Sequence, residues 1–149
     1  MACFHPITAY RVDTGLIEFT DKKGGDPIEL PCGQCIGCRL ERSRQWAMRC
    51  VHEASMHQDN CFITLTYSPE HLPFDCGLRK TDFQKFIKRL RKAIYPNKVR
   101  YYHCGEYGDN TNRPHYHAIL FGHNFHDWVY LFDSPAGSPI YTSPTLEKI

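Results

Sequence analysis

No stretch of this 149-residue sequence approaches membrane-spanning length, and its first residues have neither the charged start nor the apolar run of a secretory signal. Membrane insertion and export are therefore not expected. Net charge is also scarce, since 18 Lys and Arg against 16 Asp and Glu leave only +2. Overall charge alone thus points to no polyanionic partner. Internal repeats and low-complexity tracts are missing as well, which gives no sign of a solenoid or a disordered linker. Cysteine is the exception to this thrift. Eight cysteines in a chain with no export signal read as thiols or metal ligands in a reducing compartment, not as a disulfide framework.

The length suits one domain with a real core, and 42% hydrophobic with 23% charged residues is ordinary for a globular protein. The charge is unevenly spread. Between Arg79 and Arg100 nine basic residues face one acid, Asp82, so this stretch carries +8 and the rest of the chain −6. A basic segment on a mildly acidic body is the outline of a phosphate-binding face. Lys85, Lys88, Arg89 and Lys92 are the candidates, although a merely solvated helix face would look the same.

Periodicity supplies the elements. Ile7, Tyr10, Val12, Ile17 and Phe19 alternate loosely around Asp13-Thr14-Gly15, which predicts a short hairpin. A polar turn over residues 21–27 leads through Ile28-Glu29-Leu30-Pro31 to Cys32. Arg39 to about His57 reads as a helix with Leu40, Trp46, Ala47, Cys50, Val51 and Ala54 inward. Residues 61–67 are apolar almost throughout and predict a central strand. Thr81-Asp82-Phe83-Gln84 fits a capping box and opens a helix that buries Phe83, Phe86, Ile87, Leu90 and Ile94. Strands are expected over 99–107 and 115–121 with a turn between them. After Gly122, prolines 135, 139 and 144 predict irregular chain.

His115 and His117 are one residue apart on a predicted strand, so both imidazoles point the same way. If the register sets Glu106 opposite His115, then Glu106, Cys104 and Tyr102 share that face. Two imidazoles and a carboxylate leave open coordination positions, the catalytic pattern for a divalent ion. The donors suit Mn²⁺ or Zn²⁺ more naturally than Mg²⁺, and for phosphate chemistry the expected cofactor is Mn²⁺ or Mg²⁺. An isolated His-x-His is a weak signal, because two polar residues on a half-exposed strand look alike. Hydrolases with alternating histidines want a third one where Ile119 stands. Phosphoesterases with paired His-x-Thr/Ser motifs want a hydroxyl where His117 stands. Arg113 lies at the mouth of this site and is a further DNA-binding candidate. Tyr101, Tyr102, Tyr107 and Tyr116 offer base-stacking rings, or simply core.

Cys32, Cys35 and Cys38 recur every three residues between glycine turns, and Cys3 supplies a fourth thiolate if the first strand returns beside them. Four thiolates make a closed structural Zn²⁺ site. An iron–sulfur run would need a Cys-Pro where Glu41-Arg42-Ser43 follows. Small buried thiols beside turns are the plain alternative. Cys50, Cys61, Cys76 and Cys104 are expected to pack in the core or a loop.

Taken together, Pro31-Cys32-Gly33-Gln34-Cys35-Ile36-Gly37-Cys38-Arg39, Phe62-Ile63-Thr64-Leu65-Thr66-Tyr67, Gly105-Glu106-Tyr107-Gly108 and Arg113-Pro114-His115-Tyr116-His117-Ala118-Ile119-Leu120-Phe121 carry a resemblance. The chain resembles the replication initiators of gokushovirus-type microviruses, within the HUH endonuclease superfamily. The resemblance implies a metal-dependent nickase and strand transferase that starts rolling-circle replication. It further implies His115 and His117 as metal ligands with Glu106 as the third. Its partners would be single-stranded DNA or an origin hairpin and the host replication machinery, in the cytoplasm of a bacterial host. It also implies a tyrosine nucleophile in a Tyr-x-x-x-Lys helix beyond the histidines, and here the match lapses. Only Tyr130 and Tyr141 follow, neither with a lysine four residues on. Tyr141 is the remaining catalytic candidate, and the chain is expected to stop before the nucleophile helix.

The expected fold is α+β, a central antiparallel sheet with helices on one face and the metal on the other. Residues 1–38 form a cysteine-cluster element packed on the main domain, 39–149. The alternative function is a non-catalytic, zinc-stabilised DNA-binding module.

Overall fold

A computed structural model describes residues 3–20 and 24–149. Residues 21–23 of the expected polar turn lie outside the described residues. The chain divides into two compact units, Met1–Val51 and His52–Ile149.

In the first unit, β1 (Ile7–Arg11), β2 (Ile17–Glu18) and β3 (Asp26–Leu30) form an antiparallel sheet in the order β2-β1-β3. The β1–β2 turn closes through Gly15, whose φ of +78° is open to glycine at no steric cost. Its amide donates to the Val12 carbonyl at 2.8 Å, as the Asp-Thr-Gly sequence predicts. In β1–β3 pairing, Ile7 lies opposite Leu30. The chain before β1 therefore runs beside the chain after β3, which is how Cys3 meets Cys32. Helix α1 (Ile36–Ser55) begins three residues earlier than the periodicity predicts, with Cys38 inside its first turn. Its expected apolar stripe is not buried: Leu40, Trp46 and Val51 are exposed. The Arg49 guanidinium lies 5.0 Å from the centre of the Trp46 ring, a cation–π contact that suits a hydrated face.

In the second unit, β4 (Asn60–Thr66), β5 (Arg100–Tyr107) and β6 (Pro114–Phe121) form an antiparallel sheet in the order β4-β6-β5. This corrects the expectation for residues 61–67, since β6 is central and β4 lies at one side. Apolar residues line both faces of β4 for different reasons. Cys61 and Ile63 enter the core, whereas Phe62 is 64% exposed on the opposite face.

Helix α2 (Lys80–Ala93) covers one face of this sheet. Phe83, Phe86, Ile87 and Leu90 are buried against Ile63, Tyr116, Ala118 and Leu120, the predicted stripe meeting the predicted strands. The capping box at Thr81 does not form, because the helix starts earlier, with Arg79 as its cap and no side chain of its own doing the capping. Tertiary bonds replace it. The Tyr116 hydroxyl accepts from the Arg79 amide at 2.8 Å and lies 3.0 Å from its carbonyl. The Tyr67 hydroxyl donates to Asp82 at 2.8 Å, and burial pushes that hydroxyl's pKa up.

The stretch read as irregular contains a hairpin, β7 (Val129–Asp133) and β8 (Pro139–Thr142), followed by a short helix α3 (Pro144–Glu147). The prolines misled because each occupies a tolerated place. Pro135 lies in the turn, Pro139 is the first residue of β8, and Pro144 opens α3. The architecture is thus α+β with antiparallel sheets. Among the described residues no helix is long and apolar enough to cross a membrane.

Leu90→Ala, at a fully buried position, is expected to lower stability by about 2–5 kcal/mol in urea unfolding. Tyr116→Phe, which keeps the ring and strips the cap of α2, is expected to cost about 1–3 kcal/mol.

Candidate metal centre

The period of two along β6 sends Tyr116, Ala118 and Leu120 to the α2 face and His115, His117 and Ile119 to the other. Cross-strand register completes that second face. Glu106, Cys104 and Tyr102 of β5 lie opposite His115, His117 and Ile119, while Thr66, Thr64 and Phe62 of β4 lie opposite the same three. The sheet thus presents a three-by-three array centred on His117. Gly105 makes the neighbouring register possible. A Cβ there would lie 3.0 Å from the Leu78 side chain and 3.3 Å from the Tyr116 ring.

Within the array, Glu106 Oε1 lies 3.0 Å from His115 Nε2 and 2.9 Å from His117 Nε2. Those two bonds hold the Glu106 carboxyl below the usual carboxylate range. The His115 ring has its proton placed by its other contact. Nδ1 lies 3.1 Å from the Arg113 carbonyl, which only accepts, so Nδ1 carries hydrogen. Nε2 of neutral His115 then turns a lone pair toward a carboxylate oxygen. Two acceptors at 3.0 Å need positive charge between them, supplied by a proton on Nε2 or by a cation. The spacing suits a cation. With bonds of about 2.1 Å, ligands at right angles lie about 3.0 Å apart and tetrahedral ones about 3.4 Å. Glu106, His115 and His117 therefore fit three neighbouring positions around one divalent ion, with the solvent side open.

The remaining expected site residues are dispersed. Lys85, Lys88, Arg89 and Lys92 are exposed on α2, which covers the sheet face opposite the histidines. Lys85 lies 3.8 Å from Asp82, and Arg89 donates to the Ile149 carbonyl. Arg113 is half-buried and donates to the Tyr67 carbonyl, tying the β5–β6 turn to the end of β4. Tyr141 stands on β8, not on a helix, with its ring against Tyr130 and Trp128. It shares a groove of about 1020 Å³ with Thr64 and Thr66. Among the aromatics, Tyr116 is core, whereas Tyr102 and Tyr107 are exposed. Cys104 is exposed rather than packed.

Motif reading missed the β4 side of the array. Thr64 Oγ1 lies 2.9 Å from His117 Nδ1, and the Phe62 ring stacks on His117 with centroids 5.3 Å apart. The signal was present as alternation, because Phe62, Thr64 and Thr66 are two residues apart on one strand.

In the first unit the four expected thiols do converge. The sulfurs of Cys3, Cys32, Cys35 and Cys38 all lie within 4.8 Å of one another, and those of Cys3 and Cys35 are 3.7 Å apart. A tetrahedral ion with bonds of about 2.3 Å to sulfur separates its ligands by about 3.8 Å. Backbone amides point into the cluster, from Cys32 to Cys3 at 3.3 Å, from Cys35 to Cys32 at 3.3 Å and from Phe4 to Cys35 at 3.4 Å. The amides of Phe4 and Cys38 pull Cys35 down to about 6, while burial and the neighbouring thiols push Cys38 up to about 12. The cluster fits one closed S₄ metal site.

An antiparallel sheet with an exposed His-x-His and acid set, in a chain that also carries a cysteine cluster, defines a metal-binding α+β protein. Residues 60–141 match the family of replication-associated proteins of the ORF2 type, and the chain belongs to it. It is 39% identical to replication-associated protein VP4 of Bdellovibrio phage phiMH2K over 100% of this chain and 50% of that protein. It is 32% identical to replication-associated protein ORF2 of Spiroplasma virus 4 over 99% of this chain and 53% of that protein. A 96-residue stretch is 38% identical to replication-associated protein ORF4 of Chlamydia phage 1, covering 62% of this chain and 24% of that protein. These relatives bear out the resemblance to a microvirus-type replication protein. The chain spans about half the length of the first two. No solved structure matches it.

In protein stripped of metal by a chelator, Cys35 is expected to react with iodoacetamide with a midpoint near pH 6, as a thiol pulled down to about 6 requires. Cys61, pushed up to about 11 by burial, should stay unmodified at about pH 7. Mass spectrometry of the alkylated peptides reads both.

Proposed function

We propose that the chain is the cation- and DNA-handling part of a metal-dependent, site-specific single-stranded-DNA endonuclease of the HUH type. Such an enzyme would initiate rolling-circle replication of a small single-stranded-DNA phage genome. The observation that carries this reading is the convergence of His115 Nε2 and His117 Nε2 on Glu106 Oε1, on an open sheet face in a replication-associated protein. A bound Mn²⁺ or Mg²⁺ supplies Lewis-acid polarisation of the scissile phosphate. The chain's own groups set where that happens. The two imidazoles and the carboxylate hold one side of the cation site, and the exposed side admits a phosphate oxygen. The Arg113 carbonyl keeps His115 Nδ1 protonated, so that Nε2 is the free donor.

The attacking hydroxyl is not assigned to Tyr141. It sits on a strand, packs against Trp128, and has Thr145 where the superfamily pattern wants lysine. In a protein of the relatives' length, we place the attacking tyrosine in the part this chain does not span. The partners in this reading are an origin hairpin or other single-stranded DNA and the host replication machinery, in a bacterial cytoplasm. The cysteine cluster holds a structural Zn²⁺ that fixes the start of α1 to the chain before β1 and after β3. That cluster also favours the second reading, a zinc-stabilised DNA-binding module without catalysis.

Titration with Mn²⁺ separates the two. The enzyme reading expects one saturable site that His117→Ala or Glu106→Gln weakens at least about tenfold, and hairpin-oligonucleotide binding that Mn²⁺ strengthens. Cation-independent DNA binding, with no Mn²⁺ at the pair in any of the three proteins, would establish the second reading instead. Elemental analysis after gel filtration should find one zinc per chain, lost in Cys32→Ser. Zinc-free protein that keeps its unfolding midpoint would remove the structural role.

A further inference from the structure

The two histidines of the cation site are oriented by unlike means. His115 Nδ1 faces a backbone carbonyl two residues back in the chain, at 3.1 Å. His117 Nδ1 faces a side chain of another strand, the Thr64 hydroxyl at 2.9 Å. The flat side of the His117 ring is covered by Phe62, with 22° between the ring planes. Both partners come from the same exposed face of β4, opposite and next to opposite His117 in register. Neither residue contributes to the core, which Ile63 and Cys61 serve from the other face.

We propose that Thr64, with Phe62, is a positioning residue for His117, so that this strand face is the outer support of the cation site. This rests on reading Glu106, His115 and His117 as that site. A cation on Nε2 requires the ring proton on Nδ1, and the Thr64 oxygen accepts it. Without a cation, Nε2 carries the proton toward Glu106 and Nδ1 becomes an acceptor, to which the same hydroxyl donates. A carbonyl can serve only the first state. The hydroxyl keeps the ring bonded in both, so the imidazole can exchange its proton between nitrogens without turning. Phe62 limits the remaining freedom, rotation of the ring about its bond to Cβ. Metal-ligating histidines characteristically rest on a partner at the second nitrogen, and loss of that partner weakens metal binding about 10–100-fold.

The test uses the whole chain and Mn²⁺ alone, followed by calorimetry and by the Mn²⁺ resonance signal, with no DNA and no turnover. Thr64→Val keeps the β-branched shape and removes the hydroxyl. It is expected to weaken Mn²⁺ at least about tenfold with an unchanged unfolding midpoint, while Thr64→Ser stays within about threefold of wild type. Phe62→Leu should weaken Mn²⁺ less than Thr64→Val. Nitrogen-15 spectra of the imidazoles with diamagnetic Zn²⁺ should show His117 protonated at Nδ1 in wild type and Thr64→Ser, and a mixture in Thr64→Val. Wild-type affinity in Thr64→Val, or an equal loss in Thr64→Ser, overturns the positioning role while His117→Ala still abolishes binding. Failure of wild type itself to bind Mn²⁺ overturns the cation site and the positioning role together. Should Thr64→Val not fold, the serine and Phe62→Leu proteins and the spectra decide.

Discussion

The pairing register of β6, held between β4 and β5, is the constraint on which the second unit depends. Alternation along a strand has a period of two, so one residue decides which side chains meet which face. In the register observed, Tyr116, Ala118 and Leu120 close the core under α2, and His115 and His117 stand opposite Glu106 and Cys104. A slip of one residue would bury two imidazoles beneath α2 and expose Tyr116 and Leu120. Burial of the even-numbered residues thus holds the odd-numbered ones in place. The core and the cation site are two readings of one alternation.

Tyr116 shows how closely the two are joined. It lies between the histidines in sequence, yet its hydroxyl bonds the Arg79 backbone at the start of α2 and lies 2.9 Å from the Tyr67 hydroxyl. Arg113, just before the pair, reaches the Tyr67 carbonyl. The end of β4, the start of α2 and the start of β6 are therefore fastened around the same short segment that presents the ligands. Gly105 belongs to this arrangement, because only a residue without Cβ leaves room for Leu78 and Tyr116 together.

Much of this was legible in the sequence because it depends on local periodicity. The α2 stripe, the β5–β6 pair, the Asp13-Thr14-Gly15 hairpin and the pairing of Glu106 with His115 follow from spacing and a short polar turn. The convergence of Cys3 on the other thiols depended on β1 pairing with β3, which the sequence offered only as a condition. What could not be read depends on distant partners. Thr81 has the composition of a cap, but Tyr116 and Tyr67 arrive from the sheet and take that task. Leu40, Trp46 and Val51 have helical spacing without burial. The β7–β8 hairpin hid behind prolines that are harmless where they fall. Thr64 and Phe62 looked like two more residues of an apolar strand, because a contact across strands leaves no trace in the order of one of them.

The two polar features of the second unit lie on opposite sides of the sheet, the basic row of α2 on one and the cation set on the other. Ionic strength and chelators consequently act on different surfaces. Contacts between lysines and a polyanion fade steeply as salt rises, whereas an ion held by imidazole and carboxylate responds to its own free concentration. A strand of nucleic acid touching both must pass around the rim of the sheet. Its grip would then have two separate controls, one set by the medium and one by the metal.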